Sequence, residues 1–287
     1  MRLGVFPGQG VSAGEVLPAL ERGHPILEKA NEVLCFDLRR RVEVATRAVT
    51  PMTTSLAQPA IFVASVAGWD RFQNEGGGVG MLAGHSLGEY AALVAGGAVS
   101  FAQALCVVKV RGDAMERAAK ASAGGMAAIL GLDLEDVEAL AVESGVAVAN
   151  DNAPAHVVVS GPEEGLARIA TVSKERGARC IRIEVRGAFH TPAMSSAETA
   201  LRDALDHVSI RMPRVPVVSN VSARPYRAPG EIRKLLVSQV GGRVRFRESL
   251  AWAKESGVDS FEDLGPGQVA GRMTKRNLAV SGVGAGV

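Results

Sequence analysis

The chain has three cysteines, Cys35, Cys106 and Cys180, an odd number spread widely and set among apolar residues. That spacing excludes a disulfide framework and a cysteine-based zinc site, and it points to reduced thiols in a cytoplasmic protein. Charge of either sign is scarce in excess: 32 basic against 30 acidic residues leave a formal net charge of +2. Nucleic-acid binders concentrate a basic field, so nucleic acid is not expected as the partner. No apolar run approaches the roughly 20 residues that span a bilayer, so no membrane association is expected either. The first residues enter an apolar run at Leu3–Phe6 with no charged stretch before a long apolar one, so a signal peptide is not expected. Internal repeats are missing, and the one low-complexity stretch is the glycine-rich end from Ser281 to Val287, expected to fray.

What is present is enough apolar sequence, 47% of 287 residues, to bury one large α/β domain or two unequal ones. A strand at Leu3–Phe6, helices over Asn31–Arg41 and Gln58–Phe72, a strand at Gly80–Gly84 and a helix from Leu87 to Ala95 follow one another. Ser100 and Gln103 open a further helix, Phe101–Lys120. Strands alternating with helices predict a parallel sheet covered on both faces. The rhythm then changes. Strands at Met126–Leu130, Ala147–Ala149, His156–Ser160 and Cys180–Val185, with helices at Leu134–Ser144 and Gly165–Arg176, give the βαββαβ order of a ferredoxin-like unit. Gly124–Gly125 and Arg186–Gly187 are plausible hinges around it. Beyond His190 the chain returns to helices, with strands at Val215–Ser219 and Ser260–Leu264. The expected division is a large α/β domain from 1–123 and 188–287, interrupted by a small ferredoxin-like domain at 124–187, with a ligand cleft between them.

Gly84-His85-Ser86-Leu87-Gly88 has the G-x-S-x-G spacing. A serine on a sharp strand-to-helix turn needs small neighbours two positions either side, and the turn lifts its hydroxyl clear of the sheet. The next helix then aims its N-terminus, and the amide of Leu87, at a developing oxyanion. The alternative is a structural serine in a glycine-lined turn. The apolar strand before and the helical pattern after favour the nucleophile.

Such a serine needs a base. Of His24, His85, His156, His190 and His207, His85 adjoins Ser86 but points elsewhere, as consecutive residues of an elbow do. His24 and His207 lie in polar helical sequence and are expected to be solvated, and His156 opens a strand. His190 stands in a turn at the second domain junction and leads on position alone, with a satisfied core histidine as the competing reading. In the helix Phe101–Lys120, Arg111 falls on the same stripe as Leu105, Val108 and Met115. An arginine on a buried face needs an anion or a route to water.

The landmarks Pro7-Gly8-Gln9-Gly10, Gln58-Pro59-Ala60, Gly84 through Tyr90, Val110-Arg111-Gly112 and Gly125 through Ala128 occur in this order. Asn150 through Pro154, Ala188-Phe189-His190, Val217 through Val221 and Gly265 through Val269 continue it. Together they make the chain resemble, over almost its whole length, the malonyl-CoA:acyl carrier protein transacylases and the stand-alone acyltransferases of polyketide synthases. The resemblance implies a hydrolase-like large domain with the ferredoxin-like insert, and transfer of an acyl group, malonyl foremost, from coenzyme A to an acyl carrier protein. It implies Ser86 as nucleophile and His190 as acid/base, oriented by a main-chain carbonyl at Gln239 with no carboxylate completing a triad. It further implies Gln9 and Leu87 as oxyanion-hole amides, Arg111 as the clamp on the malonyl carboxylate, and Gln58, Asn150 and Phe189 around the substrate, with Asn152 near the pocket. No metal or other cofactor is implied beyond acyl-CoA as substrate, and a monomer is expected. His156, Phe246 and Arg243 depart from the family's glutamine, tryptophan and proline, which bears on fine specificity. A carrier-protein hydrolase and a non-catalytic docking module are the competing functions, and Arg111 and the intact elbow count against them. Arg243, Arg245 and Arg247 are the expected contact with an acidic carrier protein.

Overall fold

The computed structural model describes residues 1–48, 51–185 and 187–279. The glycine-rich end expected to fray and Arg186 of the second expected hinge lie outside the described residues.

Strand β1 (Arg2–Phe6) is followed by helices α1 (Ala13–Val16), α2 (Pro25–Leu34), α3 (Leu38–Arg47) and α4 (Thr54–Asn74). Then come β2 (Met81–Gly84), α5 (Gly88–Ala95) and α6 (Phe101–Ala121). The middle of the chain is β3 (Gly125–Leu130), α7 (Leu134–Ser144), β4 (Ala147–Ala153), β5 (His156–Gly161), α8 (Glu163–Glu175) and β6 (Arg179–Ile183). The last part holds α9 (Ser195–Asp206), β7 (Val217–Val218), α10 (Pro229–Gly241), α11 (Phe246–Glu255), β8 (Ser260–Asp263) and α12 (Val269–Leu278).

Two four-stranded sheets result. The first has the order β7-β2-β1-β8 and is parallel throughout. Successive side chains of a strand point to opposite faces, and the burial follows that rule. Leu3, Val5, Met81, Ala83 and Val218 pack on Phe246 and Leu250 to one side, while Phe6, Leu82 and Val217 join the larger core on the other. A strand buried on both faces needs a near-continuous apolar run, as Leu3–Phe6 and β2 have, whereas the edge strand β8 carries Ser260, Glu262 and Asp263. The second sheet is antiparallel, order β4-β5-β3-β6, and carries α7 and α8 over a separate apolar cluster that includes Ile129, Leu140, Val159 and Ile169. This is the ferredoxin-like arrangement. The small sheet is also tied to the rest of the fold beyond the chain crossings, since Val244, between α10 and α11, exchanges main-chain hydrogen bonds with Ala149 (2.8 Å) and Asp151 (2.9 Å) of β4.

Some expected elements differ. The helix expected over Asn31–Arg41 is broken at Cys35, which sits at φ 57°. Asp37 starts α3 there by accepting from the amide of Arg40, and Asn31 accepts from that of Leu38, so local caps override the helical pattern. The strand expected at Val215–Ser219 is only Val217–Val218, because Pro216 has no amide to donate. The apolar surroundings expected for the cysteines hold for none of them fully: Cys35 and Cys106 are exposed and Cys180 is half-buried.

Candidate active site

The turn between β2 and α5 holds Ser86 at φ 49°, a left-handed conformation that costs a non-glycine residue free energy and persists only where the surroundings enforce it. Two features enforce it here. Asn220 clamps the turn from both sides, accepting from the Ser86 amide through Oδ1 (2.6 Å) and donating through Nδ2 to the Gly84 carbonyl (2.7 Å). The flanking glycines permit a backbone approach that any side chain would block: a Cβ on Gly84 would lie 2.0 Å from the Gly88 carbonyl carbon, and one on Gly88 2.3 Å from the Phe6 oxygen. Gly84→Ala is therefore expected to destabilise the fold by about 3 kcal/mol or more, since the obstacle is backbone and cannot rotate aside. Thermal melting of the purified variant checks this, and a melting temperature near that of wild type contradicts it.

His190 also has positive φ, 60°, in the turn before Pro192. Its Nε2 lies 2.9 Å from Ser86 Oγ, and its Nδ1 2.8 Å from the main-chain oxygen of Gln239 on α10. A carbonyl oxygen can only accept, so Nδ1 carries the hydrogen and Nε2 presents a lone pair to the serine hydroxyl. Burial, and then the positive charge of Arg111, push the imidazole down to about 3. It is neutral and able to take a proton at neutral pH.

Arg111, on α6, is 1% exposed. Its Nη1 donates to Gln58 Oε1 on α4 (2.8 Å), and its Nη2 to Ser86 Oγ (3.0 Å) and Gln239 Oε1 (3.1 Å). All three acceptors are neutral. The Nε hydrogen has no partner among the described residues, and the guanidinium lies 5.6 Å from the Tyr90 ring centroid. Burial lowers the tendency of this guanidinium to hold its charge. A buried cation satisfied only by neutral oxygens, one of them the Ser86 hydroxyl, is arranged to receive an anion beside that hydroxyl.

The main-chain amides of Gln9 and Leu87 have no acceptor among the described residues, and Leu87 stands at the N-cap of α5. The Gly8 backbone is packed on the elbow, since a Cβ there would lie 2.7 Å from the His85 oxygen. Asn150 and Asn152 are buried on strand β4, not in the turns that asparagine often forms. Asn152 Oδ1 meets His85 Nε2 at 2.8 Å, and the His85 ring sits edge-on to Phe246 at 5.2 Å. His85 thus faces away from Ser86 Oγ. Phe189, 4% exposed, packs in the core directly before His190.

Two expectations change. His24 is not solvated: it caps α2, accepting from the Ile26 amide. Arg243, Arg245 and Arg247 are each paired within the chain, to Glu138 (2.6 Å), Glu248 and the buried Asp151 (2.9 Å) respectively. Each of these half-exposed charges is therefore offset by an acid beside it, which reduces the basic field they were expected to present.

The model of the acyl transferase domain family matches residues 9–281. The chain belongs to the acyl transferase domain family. A relative from Bacillus subtilis (strain 168), a malonyl CoA-acyl carrier protein transacylase, is 38% identical over 285 residues, 95% of this chain and 89% of the relative. Among solved structures, an acyl-carrier-protein S-malonyltransferase from Burkholderia pseudomallei superposes with a TM-score of 0.89 at 35% identity, over 96% of this chain and 93% of that one. A type II polyketide synthase acyl carrier protein in complex with its malonyl-transacylase gives a TM-score of 0.87 at 33% identity, over 97% and 94% of the two chains.

This acyltransferase also holds residues around the elbow that were not candidates on sequence grounds. Glu89 is buried on α5 and accepts from Gln239 Nε2 (2.6 Å), from the Asn220 amide (3.1 Å) and from the Tyr226 hydroxyl. Its position one residue past Gly88 on an apolar helix was the available signal, since an unpaired acid there needs partners the sequence does not identify.

Proposed function

We infer that the protein is a malonyl-CoA:acyl carrier protein transacylase of fatty acid or polyketide biosynthesis, working by a ping-pong reaction through an acyl-enzyme on Ser86. The observation that carries the malonyl reading is Arg111, a buried cation with neutral acceptors whose Nη2 reaches the same Oγ as His190. In the first half-reaction His190 Nε2 takes the Ser86 proton as Oγ attacks the thioester carbonyl. The amides of Gln9 and Leu87 receive the oxyanion. Collapse breaks the carbon–sulfur bond, and the coenzyme A thiolate leaves with the proton from His190. In the second half, the carrier protein's phosphopantetheine thiol gives its proton to His190 and attacks the malonyl ester, and the proton returns to Ser86 Oγ. The Gln239 carbonyl holds the imidazole in the required tautomer throughout.

The malonyl carboxylate does more than anchor. Arg111 depresses the basicity of His190 and donates to the nucleophile itself. A carboxylate on Arg111 offsets that charge and draws Nη2 from Oγ, so the substrate's own anion makes both partners more reactive. Gln58 holds the other arm of the guanidinium, and Phe189, buried next to His190 in the chain, and Asn150, buried on β4, are the residues we assign to the acyl pocket.

The site is made from one chain, which supports a monomer as the working unit. Its substrates, acyl-CoA and a carrier protein, support a cytoplasmic setting with no other cofactor. None of the described helices is long and apolar enough to cross a membrane. The division into 1–123, 124–187 and 188–287 is supported by the antiparallel sheet, whose strands all lie between Gly125 and Ile183. Incubation with malonyl-, methylmalonyl-, acetyl- and butyryl-CoA in turn, followed by intact mass, tests the reading. One malonyl mass should accumulate far faster than the uncharged acyl groups. Equal loading by acetyl-CoA overturns the malonyl assignment.

A further inference from the structure

The chemistry above uses Ser86, His190 and Arg111 and leaves one buried acid of the site without a role. Glu89 is 1% exposed, and its partners in the fold are donors. Oε2 accepts from Gln239 Nε2 (2.6 Å) and the Asn220 amide (3.1 Å), and Oε1 from the Tyr226 hydroxyl. Each of the first two residues continues to the reacting groups. The Gln239 amide also donates to the Ser86 carbonyl (3.0 Å), turns its oxygen to Arg111 (3.1 Å), and belongs to the residue whose main-chain oxygen receives His190 Nδ1 (2.8 Å). Asn220, held by its main-chain amide, clamps the Ser86 turn with its side chain. An ionised carboxylate can only accept, so it admits one orientation of the Gln239 amide, NH₂ inward and oxygen toward Arg111.

We propose that Glu89 is a positioning residue of the transfer reaction: its carboxylate fixes Gln239 and Asn220, and through them His190, Arg111 and the Ser86 turn. This rests on reading Ser86 and His190 as the reacting pair. A hydrogen bond to a charged acceptor is roughly twice as strong as one to a neutral acceptor, so loss of the charge loosens both amides. The groups facing the carboxylate are Tyr226 from the segment after β7, Tyr90 on α5, Arg111 on α6 and, beyond Gln239, His190. Burial pushes the Glu89 carboxyl up to about 7 against the opposing pull of Tyr226, Asn220, Gln239 and Arg111. Tyr226 is itself raised well above its ordinary range and stays a hydroxyl. As pH falls through about 7 the carboxyl gains a proton, which only the Tyr226 oxygen can accept once its hydroxyl turns. Oε2 then remains a weaker, uncharged acceptor, and acylation slows. The histidines do not interfere in this window, because His190 and His85 are held at about 3 and about 4.

Glu89→Gln copies the protonated state, with its NH₂ facing Tyr226. The experiment is single-turnover malonylation of the enzyme by malonyl-CoA alone, read by rapid quench and intact mass between about pH 5.5 and 8.5, with melting temperatures taken alongside. Wild type should lose rate as pH falls through about 7. The variant should be flat across that range, roughly tenfold slower at the alkaline end and equal to wild type at the acid end. A ratio of the two rates that stays constant with pH, or a variant as fast as wild type, overturns the proposal and leaves the malonyl reading standing. Tyr226→Phe supplies an independent arm: it removes the partner of both states, but the bond to the ionised carboxylate is the stronger of the two, so the limb should move to higher pH. A limb that stays put also overturns the role. Wild type that never takes up malonyl overturns the underlying reading instead.

Discussion

Ser86→Ala is expected to take up no malonyl from malonyl-CoA under conditions where wild type gains one malonyl mass per chain. The hydroxyl is the atom that joins His190 Nε2 at 2.9 Å to Arg111 Nη2 at 3.0 Å, and alanine leaves that position with no atom able to form the ester. His190→Ala leaves the hydroxyl in place but removes the proton acceptor, so a slow acyl-enzyme should still form. A positioned base contributes roughly 10²–10⁴-fold, and the loss should fall on kcat for both half-reactions, because the same Nε2 serves each. Circular dichroism should show both variants folded, since each change removes side-chain atoms from the cleft and leaves the sheet intact. Labelling that persists in Ser86→Ala sinks the nucleophile assignment. Near-wild-type turnover in His190→Ala transfers the role to another base. His85 is not well placed for it, because its Nε2 is occupied by Asn152 and burial holds it at about 4.

Arg111→Ala is expected to cut the enzyme's preference for malonyl over acetyl thioesters by orders of magnitude. The two substrates differ by one carboxylate, so the enzyme can discriminate only through what that carboxylate touches. Wild type penalises acetyl twice: the ion pair is missing, and the guanidinium remains buried with neutral partners only. Removing one member of a buried ion pair costs about 3–5 kcal/mol. At about 1.4 kcal/mol per tenfold, the ratio of kcat/KM for malonyl-CoA over acetyl-CoA should fall by roughly two to three and a half orders of magnitude. Acetyl transfer should change little or improve, because the variant also removes the donor that competes for Ser86 Oγ and the positive charge that lowers the basicity of His190. A purely structural arginine predicts something else: both substrates impaired alike, with a lower melting temperature. Steady-state kinetics with the two thioesters on wild type and variant separate the outcomes. An unchanged ratio makes Arg111 part of the scaffold.

By itself the sequence determined what depends on neighbours along the chain. The apolar run of β2, the glycines at 84 and 88 and the helix after Leu87 define the elbow, because a tight strand-to-helix turn is a local object with local steric needs. The order of strands and helices between Gly125 and Ile183 likewise determined a ferredoxin-like unit, since periodicity and connection length limit how such a string can pair. Arg111 stood out for the same reason, as a charge on an apolar helical stripe. The tertiary structure alone decided which groups meet. Ser86 and His190 lie 104 residues apart, and Gln239 a further 49; no pattern along the chain states that distance. It also decided that Arg243, Arg245 and Arg247 are paired internally, which their clustering concealed because their acids come from α7, β4 and the same helix α11. Glu89 was the least legible residue of all. A buried acid is defined by its donors, and two of its three come from the segment around β7 and one from α10, brought to it only when β7 closes the edge of the parallel sheet beside β2.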